Sequence, residues 1–342
     1  VLDWYDVHGR HDLPWQQRRT PYRVWIAEIM LQQTRVSTVI PYYLRFVDTF
    51  PDLDALAAAS QDRVLEHWSG LGYYSRARNL HQAARIIASE HDGEFPQGIE
   101  PLMALPGIGQ STAAAILAQA LDQRHAILDG NVKRVLCRYH AIAGWPGKTG
   151  VQKQLWQLAE QHTPEERVAD YTQAIMDLGA TLCGRSSPRC TQCPLVTDCA
   201  ACQQQSVERY PTPRPKKILP VKAARLLLVT DRESGKLLLE KRPPSGIWGG
   251  LWSLPEAEAG ETIEQLCLQR WGLKVLNKED FDAFRHTFSH YHFEITPCRV
   301  HVRLEQAGVK EPADILWCNS SEAAKRALAA PVARIIEQHA KT

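Results

Sequence analysis

The stretch LPGIGQSTAAAIL, Leu105 to Leu117, sets Gly107, Gly109 and a polar Gln-Ser-Thr triplet between Leu-Pro and an apolar, Ala-rich run. Glycine accepts left-handed backbone and lets another molecule approach the chain closely, while the Ala-rich run has the composition of a helix. The first amide hydrogens of that helix have no acceptor within it, so the turn is suited to holding a phosphate. Contacts made by backbone amides ignore base sequence. With a helix before the turn, the unit is a helix-hairpin-helix; without one, it is an ordinary connection with no ligand. Ser111 puts a plain hydroxyl at this place, and its reason must come from the rest of the chain.

Outward from the hairpin, residues 1–202 carry helical periods closed by turn signals and predict an all-α domain. Residues 203–222, QQQSVERYPTPRPKKILPVK, hold four prolines and five basic residues against one acid, which predicts an extended, solvated linker. Beyond it, ARLLLV and KLLLEKR read as strands joined by a turn at Ser234-Gly235. YHFEITPCRVHVRL reads as a further strand and 261–271 and 320–340 as helices, so 223–342 is expected to be an α+β domain. A length of 342 residues fits two domains, each with its own core. Composition is that of a soluble globular protein, 44% hydrophobic and 23% charged, with no apolar run long enough to span a bilayer and no signal-peptide pattern. A cytoplasmic, nucleoid-associated monomer with no membrane partner is expected. The net charge of +2 permits DNA binding through one locally basic face without arguing for it.

Four of the nine cysteines fall in CGRSSPRCTQCPLVTDC, with the spacing Cys183-x6-Cys190-x2-Cys193-x5-Cys199. In a reducing compartment this spacing leaves zinc or an iron–sulfur cluster, both of which use four thiolates. Zinc ribbons usually pair two short Cys-x2-4-Cys knuckles, and only one is present, which weighs towards the cluster. Cys137, Cys202, Cys267, Cys298 and Cys318 are scattered and read as inert.

Two carboxylates stand out. TPYRVWIAEIMLQQT reads as a helix with Thr20 as N-cap and Pro21 in its first turn, and Glu28 interrupts its apolar neighbours. Such a residue either faces water or is partly buried with a raised pKa. In ILDGNVKRV, Asp129 precedes Gly130-Asn131, a common turn or helix-cap arrangement.

Taken together, LPW (13–15), AEIMLQQTRV (27–36), GLGYYSRARNL (70–80), LPGIGQSTA (105–113), LDGNVKRV (128–135), MDLGA (176–180) and the four-cysteine loop resemble the MutY-type adenine DNA glycosylases of the helix-hairpin-helix superfamily. The likeness continues through RPPSGIWGGLW and FRHTFSHYHF, so it covers nearly the whole chain. The resemblance implies an all-α, two-lobed glycosylase domain with a cleft between its lobes, a 4Fe-4S cluster on Cys183, Cys190, Cys193 and Cys199, and duplex DNA with adenine opposite 8-oxoguanine or guanine as substrate. Glu28 is then the general acid that protonates adenine at N7. Asp129 stays ionised and stabilises the positive charge at C1′ or bonds to it transiently, and Asn131 supports it. Trp15, Gln16, Leu31 and Gln173 match the adenine pocket, although some family members carry arginine where Gln16 stands. Gln33 and Tyr73 match wedge residues near 8-oxoguanine, and Thr34 one that hydrogen-bonds around it. Gly107, Gly109, Ser111 and Lys133 fall to the DNA phosphates.

Ser111 now has a meaning. Related endonuclease III-type enzymes carry a lysine at this hairpin position, whose amine attacks C1′ and leads to strand cleavage. A serine cannot form that imine, so the resemblance implies base removal alone; a lyase and a noncatalytic lesion-binding protein are the alternatives. The second domain resembles the Nudix fold, but where the Nudix box holds its metal-binding glutamates this chain reads Gln265-Leu266-Cys267-Leu268-Gln269-Arg270. Hard divalent cations need oxygen ligands, so the domain is expected to read the lesion rather than hydrolyse nucleotides, with Phe288, Ser289 and His290 in the HTFSH loop touching 8-oxoguanine.

Overall fold

The computed structural model describes residues 1–215, 218–258, 260–304 and 314–340. Parts of the expected linker (216 and 217) and of the expected second domain (259, 305–313, 341 and 342) lie outside the described residues. The chain forms two compact units, one of Val1–Ala59 with Asn79–Lys216, the other of Ser60–Arg78 with Lys217–Thr342.

The first unit is helical. Pro21–Leu31 is capped by the Thr20 side chain, which accepts from the Arg23 N–H, and Pro21 stands in the first turn where its missing N–H costs nothing. This helix packs on Gln110–Leu121. The hairpin is present: Ile99–Ala104 precedes it, Gly107 turns it at φ +80°, and Gly109 is the N-cap of Gln110–Leu121. A Cβ on Gly107 would lie 2.9 Å from the Asn79 Cβ, so both conformation and space demand glycine. Gly109 differs from expectation, since its φ of −93° is open to any residue; what it keeps is open space, with nothing within 4 Å of a built Cβ. One core cluster includes Leu128, Val132, Leu136, Leu155, Ile175 and Leu178, which draws together the helices Gly130–Tyr139, Thr149–His162 and Val168–Asp177.

The expected linker is not solvated along its length. Arg138, 2% exposed, donates through Nε to the Val207 and Tyr210 carbonyls, and the Gly144 N–H donates to Thr212 Oγ1, so 207–212 is docked on the helical unit. A buried guanidinium must have its donors satisfied, and this segment supplies the acceptors.

The second unit is built on a mixed sheet of eight strands among the described residues. They are β1 (Val221–Asp231), β2 (Leu237–Lys241), β3 (Trp252–Ser253), β4 (Glu256–Ala257), β5 (Leu273–Asp280), β6 (Phe284–Thr287), β7 (His292–Leu304) and β8 (Ile315–Cys318). The order is β3-β2-β1-β7-β5, with β4 on β1, β6 on β7 and β8 on β2. β1 and β7 pair in parallel, from Val221 opposite His292 to Asp231 opposite Val302. Leu227, Val229, Cys298, Val300 and Val302 face the helix Ile263–Trp271 in one buried cluster. The helix expected at 320–340 is two helices, Ser320–Ala323 and Ala330–His339. Pro331 lacks the N–H that a helix interior needs and stands in the first turn of the second helix. Ser60–Arg78, expected in the helical domain, packs with the sheet: Lys241 Nζ pairs with Asp62 at 2.6 Å and Arg326 with Glu66 at 3.8 Å.

Candidate active site

A cleft of about 430 Å³ in the helical unit brings together Trp15, Glu28, Leu31, Gln33, Thr34, Ser111, Asp129, Asn131 and Gln173. Nine positions picked from separate stretches of sequence thus share one cavity, of the size of a small-molecule site. Gln16 is next to it in the chain, with both amide atoms buried and no partner among the described residues. Lys133 lies one turn after Asp129 on the same helix, and Gly107 and Gly109 form the hairpin at the start of the Ser111 helix.

Glu28 points from an otherwise buried face of Pro21–Leu31. Burial, then the charge of Asp129, raise its carboxyl to about 7, and the hydrogen bond that Oε1 accepts from Gln119 Nε2 at 3.2 Å offsets only part of this. A protonated carboxylic acid is therefore available at neutral pH. Gln119 went unremarked in the sequence; its signal was a buried amide inside an Ala-rich apolar run.

Asp129 is the N-cap of Gly130–Tyr139. Its Oδ1 accepts from the Val132 N–H at 2.7 Å and its Oδ2 from Asn131 Nδ2 at 3.0 Å. Burial pushes its pKa up, while these bonds and the Arg134 guanidinium pull it back towards ionisation. The cap reading and the functional one therefore coincide, because the helix N-terminus that needs a cap also favours the carboxylate. Behind it, Arg134 Nη2 donates to Asn131 Oδ1 at 2.8 Å and to the Gly179 carbonyl at 2.7 Å, and Nε to the Cys183 carbonyl at 2.7 Å. Sequence gave no reason to single out Arg134.

Ser111 Oγ accepts from the Leu128 N–H at 3.0 Å. Among the described residues lining the cleft none is a lysine. Gln173 is 3% exposed, and its Nε2 donates to Asp177 Oδ1 at 2.7 Å. Asp177, fully buried, also accepts from Arg10 through N, Nε and Nη2 at 2.6–2.9 Å. Arg10 and Asp177 are further residues that sequence reasoning missed.

Gln33 and Tyr73 share an uncommon backbone state, φ +59° and φ +48°, in which a non-glycine residue is strained. Gln33 belongs to the helical unit; Tyr73, 49% exposed, belongs to the second. Phe288, Ser289 and His290 form the turn between β6 and β7, closed by the Phe288 N–H donating to the Tyr291 carbonyl at 2.9 Å. Ser289 and His290 are exposed, and Phe288 stacks on Tyr291 at 4.6 Å.

None of the nine cysteines is joined in a disulfide. Burial raises the thiols of Cys190, Cys193 and Cys199, and each is raised further by neighbouring thiols, with Cys183 among them in every case. Arg138 Nη1 donates to Cys183 Sγ at 3.2 Å, and Cys199 Sγ donates to the Arg138 carbonyl at 3.5 Å. Among the described residues no three His, Cys, Asp or Glu side chains converge on a single-ion site. Four thiols beside a buried guanidinium have the donor chemistry that a thiolate-held cluster uses, although the described residues show no clear cluster site. Cys202 neighbours Cys190 and helps raise its thiol, so it is close to the loop. Among the described residues no helix is long and apolar enough to cross a membrane.

Residues 26–161 match the HhH-GPD superfamily base excision DNA repair proteins, and 225–338 match the NUDIX domain. A solved thermostable thymine-DNA glycosylase is similar at 27% identity and TM-score 0.55, covering 59% of this chain and 93% of its own. An endonuclease III in a non-covalent DNA complex shares the fold at 21% identity and TM-score 0.50, covering 59% of this chain and 92% of its own. The adenine DNA glycosylase of Buchnera aphidicola (subsp. Acyrthosiphon pisum) is 38% identical over all of this chain and 97% of its own length; that of Homo sapiens is 37% identical over 85% of this chain and 64% of its own. Likeness of that extent, on a helix-hairpin-helix unit and a Nudix-like unit in one chain, places this enzyme in the MutY-type family of adenine DNA glycosylases, which work in base excision repair.

Proposed function

We propose that the enzyme hydrolyses the N-glycosidic bond of adenine mispaired with 8-oxoguanine or guanine, leaving an abasic site on an uncut strand. The observation that carries this reading is one cleft holding Glu28, its carboxyl raised to about 7, and Asp129, whose carboxyl is held by hydrogen bonds and Arg134 against the rise that burial causes, with a serine hydroxyl at the hairpin and no lysine among its described lining. Adenine inside a duplex is out of reach, so the nucleotide is turned out of the stack at a cost of a few kcal/mol. Glu28 gives its proton to N7 as the C1′–N9 bond lengthens, so the bonding pair leaves with a neutral base. Asp129 faces the cationic sugar and stabilises it, by its field or by a transient bond to C1′. Water then adds to C1′ and gives up a proton, which restores the acid.

The other assignments follow the same reading. Trp15, Gln16, Leu31 and Gln173 hold the base; the unpartnered amide of Gln16 and the fixed amide of Gln173 suit a purine edge. Gln33, Thr34, Tyr73, Phe288, Ser289 and His290 read the opposite base. Gly107, Gly109, Ser111 and Lys133 serve the phosphates, the open side of Gly109 allowing close approach. Residues 1–202 form the glycosylase domain apart from 60–78, and 223–342 the lesion reader. Cys183, Cys190, Cys193 and Cys199 hold a 4Fe-4S cluster, whose contribution is to cross-link the loop that carries Arg185 and Arg189.

The test is incubation with a duplex carrying adenine opposite 8-oxoguanine, followed by a gel with and without hot alkali. Product should appear only with alkali, and borohydride should trap no adduct; cleavage without alkali would overturn the single-activity reading. Glu28→Gln should abolish product and keep DNA binding, and undiminished turnover would overturn the acid assignment.

A further inference from the structure

We infer that Arg78 and Tyr74 are positioning residues for lesion discrimination: they tie the backbone that presents Tyr73 to the loop that backs the Phe288–His290 turn. The inference rests on the proposed function, since it concerns how the opposite base is read, and it involves only the second unit, to which all these residues belong.

Tyr73 holds a left-handed backbone with nearly half its surface exposed, so something must over-determine that conformation. Three neighbours do so. Arg76 lies 5.4 Å from the Tyr73 ring and 5.4 Å from the Trp68 ring, and its Nη2 donates to the Gly72 carbonyl at 3.2 Å. Tyr74 Oη accepts from the Gly70 N–H at 3.2 Å and donates to the Leu328 carbonyl at 3.0 Å, which clasps the loop from one side and anchors it to distant chain on the other. Arg78 Nη1 donates to the Gly249 carbonyl at 2.6 Å, across 171 residues of sequence.

That carbonyl belongs to a loop with no slack. A Cβ on Gly249 would lie 2.6 Å from the Pro244 carbonyl oxygen, and Gly250 sits at φ +76°. On the other side of the loop, Trp248, itself left-handed at φ +54°, packs 6.1 Å from the Phe288 ring and 6.3 Å from His286. One short path therefore runs from Tyr73 to its chain neighbour Tyr74, whose carbonyl accepts the Arg78 N–H at 3.1 Å, and on through Arg78, Gly249 and Trp248 to Phe288. 8-Oxoguanine differs from guanine only at C8 and N7, and telling them apart needs side chains from both segments held in one register. Looseness of about 1 Å in such a site is costly.

The experiment measures single-turnover excision of adenine opposite 8-oxoguanine and opposite guanine with the full-length chain, its melting temperature recorded alongside. Arg78→Ala should lower the lesion-to-guanine rate ratio about fivefold to tenfold, the scale of one lost hydrogen bond. The guanine-opposed rate should stay within about twofold on the same scale. Arg78→Lys should restore part of the ratio, and Tyr74→Phe should lower it in the same direction. In a Tyr73→Ala background, Arg78→Ala should add little, because Arg78 acts through Tyr73. A ratio unchanged in both Arg78→Ala and Tyr74→Phe, or a loss that simply adds to that of Tyr73→Ala, would overturn the inference. A wild-type chain that excises neither adenine would instead overturn the proposed function beneath it.

Discussion

The side-chain oxygen of Ser111 accepts the backbone N–H of Leu128 at 3.0 Å, so the second helix of the hairpin fixes the residue that immediately precedes Asp129. Leu128 is 3% exposed, and its N–H has little access to water as a substitute partner. The hydroxyl is therefore more than the absence of an amine. Ser111→Ala should cost about 1–3 kcal/mol in denaturant unfolding, the price of a buried unpaired donor, and should slow excision by letting Asp129 drift. Ser111→Thr, which keeps the acceptor, should recover most of the stability, and equal stability of Ala and wild type would show the bond to be incidental.

On the proposed mechanism the Glu28 carboxyl, raised to about 7, should set the alkaline side of the pH profile. A general acid must carry its proton, so the excision rate should fall about tenfold per pH unit once the pH exceeds roughly 7. Asp129 must be ionised, and because burial raises it, the acid side of the profile should lie above the ordinary aspartate value of 3.8. Single-turnover rates on the adenine:8-oxoguanine duplex between pH 5 and 9 check both limbs, and a rate flat through neutrality would remove Glu28 as the acid.

The same shift makes a stability prediction. Folding holds the Glu28 proton more tightly than the unfolded chain does, so its contribution is fully favourable below the unfolded value of 4.5 and is lost as the pH rises through about 7. A neutral isostere escapes that loss. Glu28→Gln should be more stable than wild type at pH 8 by about 1–2 kcal/mol, after allowance for solvent screening in an open cleft, and its advantage at pH 5 should shrink to about a quarter of that. Thermal unfolding at the two pH values measures it; an advantage of equal size at both would mean that packing, not charge, is responsible.

The legibility of this molecule in its sequence followed locality. The Thr20 cap and the strand runs at 224–229 and 237–241 were readable because proline and apolar period act over a few residues, whereas Gly107 and Gly109 alone left the hairpin open until the resemblance supplied it. The cleft lining was readable only by resemblance, since nothing within IAEIML says whether Glu28 faces water or Asp129. What escaped were partners held across long separations: Gln119 on Glu28, Asp177 on Gln173 and Arg10, Arg78 on Gly249. The basic, proline-rich stretch after 203 misled because buried Arg138 recruits its carbonyls, a demand that originates 65 or more residues earlier. Pro331 was visible throughout, and its position alone argues for ending one helix and starting another.

The thiols give a prediction that separates ligands from a bystander. Cys199→Ser and Cys193→Ser should each lower iron content and the visible absorbance of the purified protein, because a cluster held by four thiolates loses one of its bonds. Cys202→Ala should keep about four irons per chain, although its thiol lies against Cys190, since the resemblance makes it no ligand. Iron assay and absorption spectra decide it. Loss of iron in Cys202→Ala with retention in Cys199→Ser would exchange their roles.

Gly179 has no room for a side chain, and the reason lies at the catalytic end of the cleft. A Cβ there would lie 2.6 Å from the Asn131 Cβ and 3.0 Å from its carbonyl oxygen, while the Gly179 carbonyl accepts from Arg134 at 2.7 Å. Asn131 in turn donates to Asp129 Oδ2 at 3.0 Å, so a methyl group at 179 presses on the residue that orients the carboxylate. Gly179→Ala should reduce excision at saturating enzyme by about tenfold to a hundredfold, the scale expected when a supporting shell is displaced by a fraction of an ångström. DNA affinity should change far less, because on the proposed mechanism the displaced atoms act on the sugar after the base has been turned out. Gly179→Ala combined with Asn131→Gly, which removes the overlapping Cβ, should recover part of the overlap energy in thermal unfolding without recovering the rate, since Asp129 has then lost its donor. Single-turnover rates and binding isotherms on the same preparations separate the two effects, and a Gly179→Ala enzyme with unimpaired excision would detach Asn131 from the chemistry.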